Sequence, residues 1–120
     1  MEWIKIAIQI IIAVSIFNVW VLRFGKPTNW RGGTAKSMKE EFETYGLPLW
    51  FMKLIGFLKL TLASLLIAGI FLHDLIKPAA IGMAVLMLGA IFMHIKVKDK
   101  LIKSLPAFTF LVLSLILIFA

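Results

Sequence analysis

Lys59 stands near the middle of residues 46–72, GLPLWFMKLIGFLKLTLASLLIAGIFL, a stretch long enough to cross a bilayer. An amine at that depth is disfavoured by about 2.5–3.5 kcal/mol on insertion scales, so something must compensate it. Three arrangements would do so. The ammonium could snorkel along the helix toward the nearer interface, as the earlier Lys53 is expected to do. It could sit inside a helix bundle and donate to Ser15, Asn18 or a backbone carbonyl. Or it could meet an anionic or carbonyl-bearing ligand, such as a quinone headgroup or a lipid phosphate. At about 1.5 Å of rise per residue, Ser15 and Ser114 of two other apolar runs are expected level with Lys59. No Asp or Glu lies inside any apolar span, so an intramembrane salt bridge is not expected.

A second group of candidates is His94 and Asn18 with Glu40, Glu41, Glu43 and Tyr45. A histidine beside carboxylates could shuttle protons for a quinone. The plainer alternative for His94 is an interfacial residue hydrogen-bonded to a neighbouring loop. The chain has two histidines, and His73 is expected on the other side of the membrane, so no metal site is anticipated. No P-loop, dinucleotide fingerprint or nucleophile triad is present, and no residue is singled out as catalytic. Zero cysteines exclude disulfides, thiol catalysis, Cys-ligated metals and iron–sulfur clusters.

The elements that must position these residues are apolar. The 120 residues are 62% hydrophobic, with a mean hydropathy of +1.01, against about 45–50% apolar residues in soluble domains. A soluble domain of this size could not hide so much apolar surface. The class is an integral membrane protein in contact with the lipid bilayer. The net charge of +7 comes from basic residues clustered between apolar runs, which suits membrane flanks rather than nucleic acid.

One membrane domain, residues 1–120, is expected. The first span covers about residues 3–24; its apolar core is longer than a signal-peptide h-region, and no small-x-small cleavage site follows. Trp3 and Trp20 near its ends read as interface anchors, as do Trp30 and Trp50. Residues 25–46 open as loop, with Pro27, Gly32 and Gly33. They continue as a short amphipathic helix, with Ser37 and Glu40 as a capping box and Gly46 as the stop. Met38, Phe42 and Tyr45 share one face of it, suited to the headgroup region. Further spans follow at about 48–72, 78–95 and 105–120. Gln9 and Asn18 should face other helices, and Ser64-x-x-x-Ala68 and Ala80-x-x-x-Ala84 suit close packing or dimerisation. The fold class is therefore all-α, an integral membrane four-helix antiparallel bundle with a short interfacial helix between the first two spans.

Nine basic residues (Arg23, Lys26, Arg31, Lys36, Lys39, Lys96, Lys98, Lys100 and Lys103) fall in the loops after the first and third spans, against Lys5 and Lys77 on the other side. The positive-inside rule puts loops 25–46 and 96–104 in the cytoplasm and both termini outside.

The segment Phe42-Glu43-Thr44-Tyr45-Gly46-Leu47-Pro48 followed by Ile55-Gly56 resembles the DoxX-like family of small four-helix bacterial membrane proteins. So does Met87-Leu88-Gly89-Ala90-Ile91-Phe92-Met93-His94, followed by Asp99, Lys103, Pro106-Ala107 and a last helix rich in Leu, Val and Ser. The resemblance implies a multi-pass protein of the bacterial inner membrane. Some members of the family are linked to thiosulfate–quinone oxidoreduction or other membrane redox systems, which implies contact with quinone or another lipophilic molecule. The family often has an acidic residue three positions after the glycine of the second span; here that position is Lys59. The expected function is a non-catalytic accessory or lipophilic-ligand-binding subunit, quinone- or lipid-like in its ligand, with Lys59, Ser15, Asn18, His94 and Ser114 as candidate ligand contacts. No intrinsic cofactor is expected, quinone being the one candidate, and the partners would be a second copy or a membrane redox complex. The alternatives are a quinone-linked oxidoreductase subunit and a purely structural or assembly protein.

Overall fold

The computed structural model describes residues 2–120, and no strand occurs among them. Helix α1 (Glu2–Phe17) continues as a π-helical turn over Asn18–Leu22, and α2 (Met38–Thr44) follows a loop. Helix α3 (Leu49–Ala68) leads through a 3₁₀ turn, His73–Leu75, into α4 (Ile76–Lys96). A second 3₁₀ turn, Leu101–Ser104, leads into α5 (Leu105–Phe119). Among the described residues, four helices are long and apolar enough to cross a membrane: Glu2–Leu22, Leu49–Ala68, His73–Lys96 and Leu101–Phe119. The shortest has 19 residues, about 29 Å at the α-helical rise, close to the thickness of a bilayer core. The last run, which looks short from residue 105 onward, reaches that length because the 3₁₀ turn extends it.

The helices form an antiparallel bundle: α1 packs on α3, α3 on α4, α4 on α5, and α5 closes back against α1. The core is thin and made largely of small or flexible residues, with Ile8, Ile12 and Ile16 meeting Ala63, Leu66, Ala80, Met83 and Met87. Outside it, Phe57, Phe71, Val85, Leu88, Phe92 and Phe108 are exposed. In water such a surface would aggregate; facing lipid tails it is the solvent-matched side. Gln9 is buried and donates to the Leu66 carbonyl at 2.8 Å. That carbonyl lies in the last turn of α3, where it has lost its helical partner, so the amide joins two helices while satisfying an orphan acceptor. Helix α3 ends at Ala68 rather than reaching Leu72, because Gly69 is a weak helix former and admits close packing. A Cβ there would meet Ile76 Cγ1 at 2.9 Å.

Two helix ends set up one end of the bundle, and both are Schellman motifs. Ser37 Oγ accepts the Glu40 N–H at 3.2 Å, starting α2. The helix stops with Gly46 at φ 77, its N–H on the Glu43 carbonyl and the Leu47 N–H on the Phe42 carbonyl. Helix α4 ends the same way, but with Lys98 at φ 59 in the left-handed position. The Lys98 N–H bonds the Ile95 carbonyl and the Asp99 N–H bonds the His94 carbonyl. Asp99 is thereby folded back over His94, where a Schellman motif ordinarily places an apolar contact.

Candidate functional site

Gly56 and Lys59 are three residues apart and so share a face of α3. A Cβ on Gly56 would sit 2.7 Å from the ring of Trp20, so the missing side chain is a notch that seats the indole. Trp20 is buried within the bundle and is not an interface anchor, which corrects the expectation from its place near the end of a span. Trp20 follows Ile8, Ile12 and Ile16 at four-residue steps, so the helix carries it on the face that packs into the bundle. Lys59 Nζ lies over that ring, 5.5 Å from its centroid. A desolvated cation–π contact of this kind is worth about 2 kcal/mol, a partial offset of the cost of the buried amine. The lysine does not run free along the outside of α3: it fronts a cavity of about 760 Å³ between α1, α3, α4 and the start of α5.

The cavity walls are mostly apolar, with Ile16, Phe51, Ile55, Met87, Ala90 and Phe110. At the loop end a polar roof covers it. Arg31 is buried there, its Nη1 2.9 Å from Glu41 Oε2, its Nη2 on the Arg23 carbonyl at 2.6 Å and its Nε on the Lys26 carbonyl at 3.0 Å. Glu41 Oε1 accepts from the Tyr45 hydroxyl at 2.8 Å and from the Gly32 N–H at 3.3 Å. Tyr45 stands edge-on to the His94 ring at 5.9 Å. His94 Nδ1 meets Asp99 Oδ2 at 2.8 Å, and Asp99 Oδ1 accepts the Gly33 N–H at 3.0 Å. Lys103 Nζ donates to the carbonyls of Arg31 and Gly33. The loop is thus tied to α2, α4 and the approach to α5.

Two of these groups have displaced protonation equilibria. Burial, then the Glu41 carboxylate that takes its hydrogen bond, pushes the Tyr45 phenol upward, so it remains a donor. Burial would raise the Asp99 carboxyl, but the hydrogen bonds from His94 and Gly33, with the charges of His94 and Lys103, outweigh it and hold it below its ordinary value.

Lys59, Asn18 and His94 all line the cavity, with Glu41 and Tyr45. Ser15 and Ser114 are not among its lining residues. Ser15 is half-buried on α1, and Ser114 is buried on α5, where, among the described residues, its Oγ has no hydrogen-bond partner. Glu40 is spent on the Ser37 cap and Glu43 is exposed, so of the three clustered glutamates one reaches the cavity. Sequence reasoning passed over Arg31, Asp99 and Trp20. Arg31 lies in a loop without periodicity, and the glycine that would have announced the turn before Asp99 is replaced by Lys98. His73 and His94 lie at opposite ends of the bundle; His73 Nε2 is 3.7 Å from Glu2 Oε2, beside the start of α1.

Four membrane-length helices around a roofed cavity define a small multi-pass membrane protein. The chain belongs to the DoxX-like family, whose model matches residues 30–117, from the roof loop through most of α5. No curated protein and no solved structure matches the chain. Lys59, three residues after Gly56, reaches the cavity from α3, and Glu41 reaches it from α2.

Proposed function

We propose that this protein binds a lipophilic small molecule, quinone- or lipid-like, between its helices and serves a membrane system as a non-catalytic accessory subunit. The observation that carries this reading is the cavity itself. Its volume lies within the range of about 300–1,000 Å³ of small-molecule sites, and its apolar walls are combined with a few placed polar groups. Lys59 supplies a donor at mid-span and His94 one nearer the roof. The protein resides in the bacterial inner membrane, with the roof loop and residues 96–104 on the cytoplasmic side, where their lysines and arginines favour retention. A ligand would enter from the bilayer or beneath the roof.

The test is extraction and mass spectrometry of small molecules from the purified protein, alongside binding of a quinone analogue and a lipid amphiphile. Gly89 lines the cavity, and a Cβ there meets nothing within 4 Å. Gly89 is exposed at the mouth of the cavity, so Gly89→Leu should narrow that mouth without a clash and reduce whatever co-purifies. If the variant and the parent carry the same molecules in the same amounts, the cavity is not the binding site.

The second reading is a quinone-linked oxidoreductase subunit. It is favoured by one observation, that His94 faces the cavity while bonded to Asp99. Such a pair can exchange a proton with a reduced quinone. Co-purification with a flavin- or haem-bearing partner would support it.

A further inference from the structure

The charges around the cavity are unequal, and the inequality concerns one residue. Arg23, Arg31, Lys59 and Lys103 line it, against one carboxylate among the described residues, that of Glu41. Arg23 is exposed at the loop end, Arg31 is neutralised by Glu41, and Lys103 is held by two backbone carbonyls. Glu41 makes no hydrogen bond to Lys59: one oxygen takes Arg31 and the other takes Tyr45 and the Gly32 N–H. Among the described residues no carboxylate pairs with Lys59. Nor is the side chain free to lie down along α3 toward the roof. Trp20 fills the Gly56 notch on that face, and the ammonium rests on the indole. A cation fixed at mid-span, in low dielectric and without an anion, is an attractive point for a negative charge, because interactions there are weakly screened.

We infer that the ligand is a lipophilic anion: an amphiphile with one carboxylate-type head that pairs with Lys59, its apolar body lying against Ile16, Ile55, Met87 and Phe110. This rests on the ligand-binding reading above and narrows it. A neutral carbonyl head would accept one hydrogen bond and leave the positive charge uncancelled. An anionic head forms the stronger charge-assisted bond and removes the net charge from the span. The cavity volume suits a single-chain or ring-bearing molecule of drug-like size.

The experiment compares dodecanoate, dodecanol and a neutral alkyl quinone analogue, by calorimetry on the full chain in neutral phosphatidylcholine nanodiscs. Dodecanoate should bind roughly tenfold more tightly than dodecanol. Lys59→Met, which keeps side-chain length but not charge, should abolish that preference, and Lys59→Arg should retain it. Gly89→Leu should weaken all three probes. Equal binding of acid and alcohol, or a preference that survives in Lys59→Met, overturns the anion assignment while leaving the cavity reading in place. Failure of all three probes, with Gly89→Leu and parent indistinguishable, overturns both.

Discussion

Ser114 and Asp99 show two opposite fates of a polar group placed among apolar helices. Ser114 is fully buried and its Oγ lacks a partner among the described residues. An unsatisfied buried hydroxyl costs about 1–3 kcal/mol, so Ser114→Ala should raise the melting temperature in detergent. Because Ser114 is off the cavity, the same variant should leave ligand affinity unchanged; a loss of affinity would return it to the site. Asp99 is the satisfied case, its carboxylate accepting from His94 and Gly33 with a side chain 7% exposed. Asp99→Asn should lower stability by about 1–3 kcal/mol. Its native carboxyl is held below the unfolded value, so its contribution is complete above about pH 4 and fades as the pH falls through the lower native value. Tyr45 has the reverse sign. Raised in the native state, it contributes fully below about pH 10 and loses that contribution as the pH climbs beyond. Thermal unfolding followed across pH should therefore show Asp99→Asn flattening the acid side of the profile.

At the scale of elements, the ends of helices matter more than their lengths. Lys98 holds a left-handed conformation that a side chain adopts at a cost. Lys98→Gly should stabilise the protein by about 0.5–1 kcal/mol, read as a rise in melting temperature with the His94–Asp99 contact intact. The substitution also shows why that contact could not be seen in the sequence. Gly46 announces its turn, and the Ser37 cap and the buried face of Met38, Phe42 and Tyr45 follow from spacing alone. The four apolar runs were equally plain, since nothing but a bilayer suits them. Lys59, Asn18 and His94 stood out because polar groups are scarce in spans. Arg31 gave no such signal: its environment is assembled from the carbonyls of Arg23 and Lys26 and a glutamate on another element, none linked to it by a period. Trp20 misled because its place near the end of a span suits an interface anchor, although its four-residue step from Ile16 puts it on the core face.

Across the whole molecule, a thin core rich in alanines and methionines is joined by a few polar ties, and the Arg31–Glu41 pair binds the roof loop to α2. Removing one partner leaves a charge stranded in a nearly dry site, so Arg31→Met should cost about 3–5 kcal/mol, and Glu41→Gln should also be destabilising. The double variant should recover much of the loss, measured as a coupling energy in a double-mutant cycle. Additive losses would mean that the two side chains act separately. The π turn has a consequence of another kind. One surplus residue in a helix shifts every later side chain by about 100° around the axis, so α1 and the segment after it present two faces that differ in phase. The first phase directs Ile8, Ile12, Ile16 and Trp20 inward; the second carries Arg23 and Phe24, whose carbonyls take Arg31. Deleting Val21 or Leu22 would leave the span long enough for the membrane. It would also relax the turn to α-helix and swing the roof loop out of step with the bundle it closes.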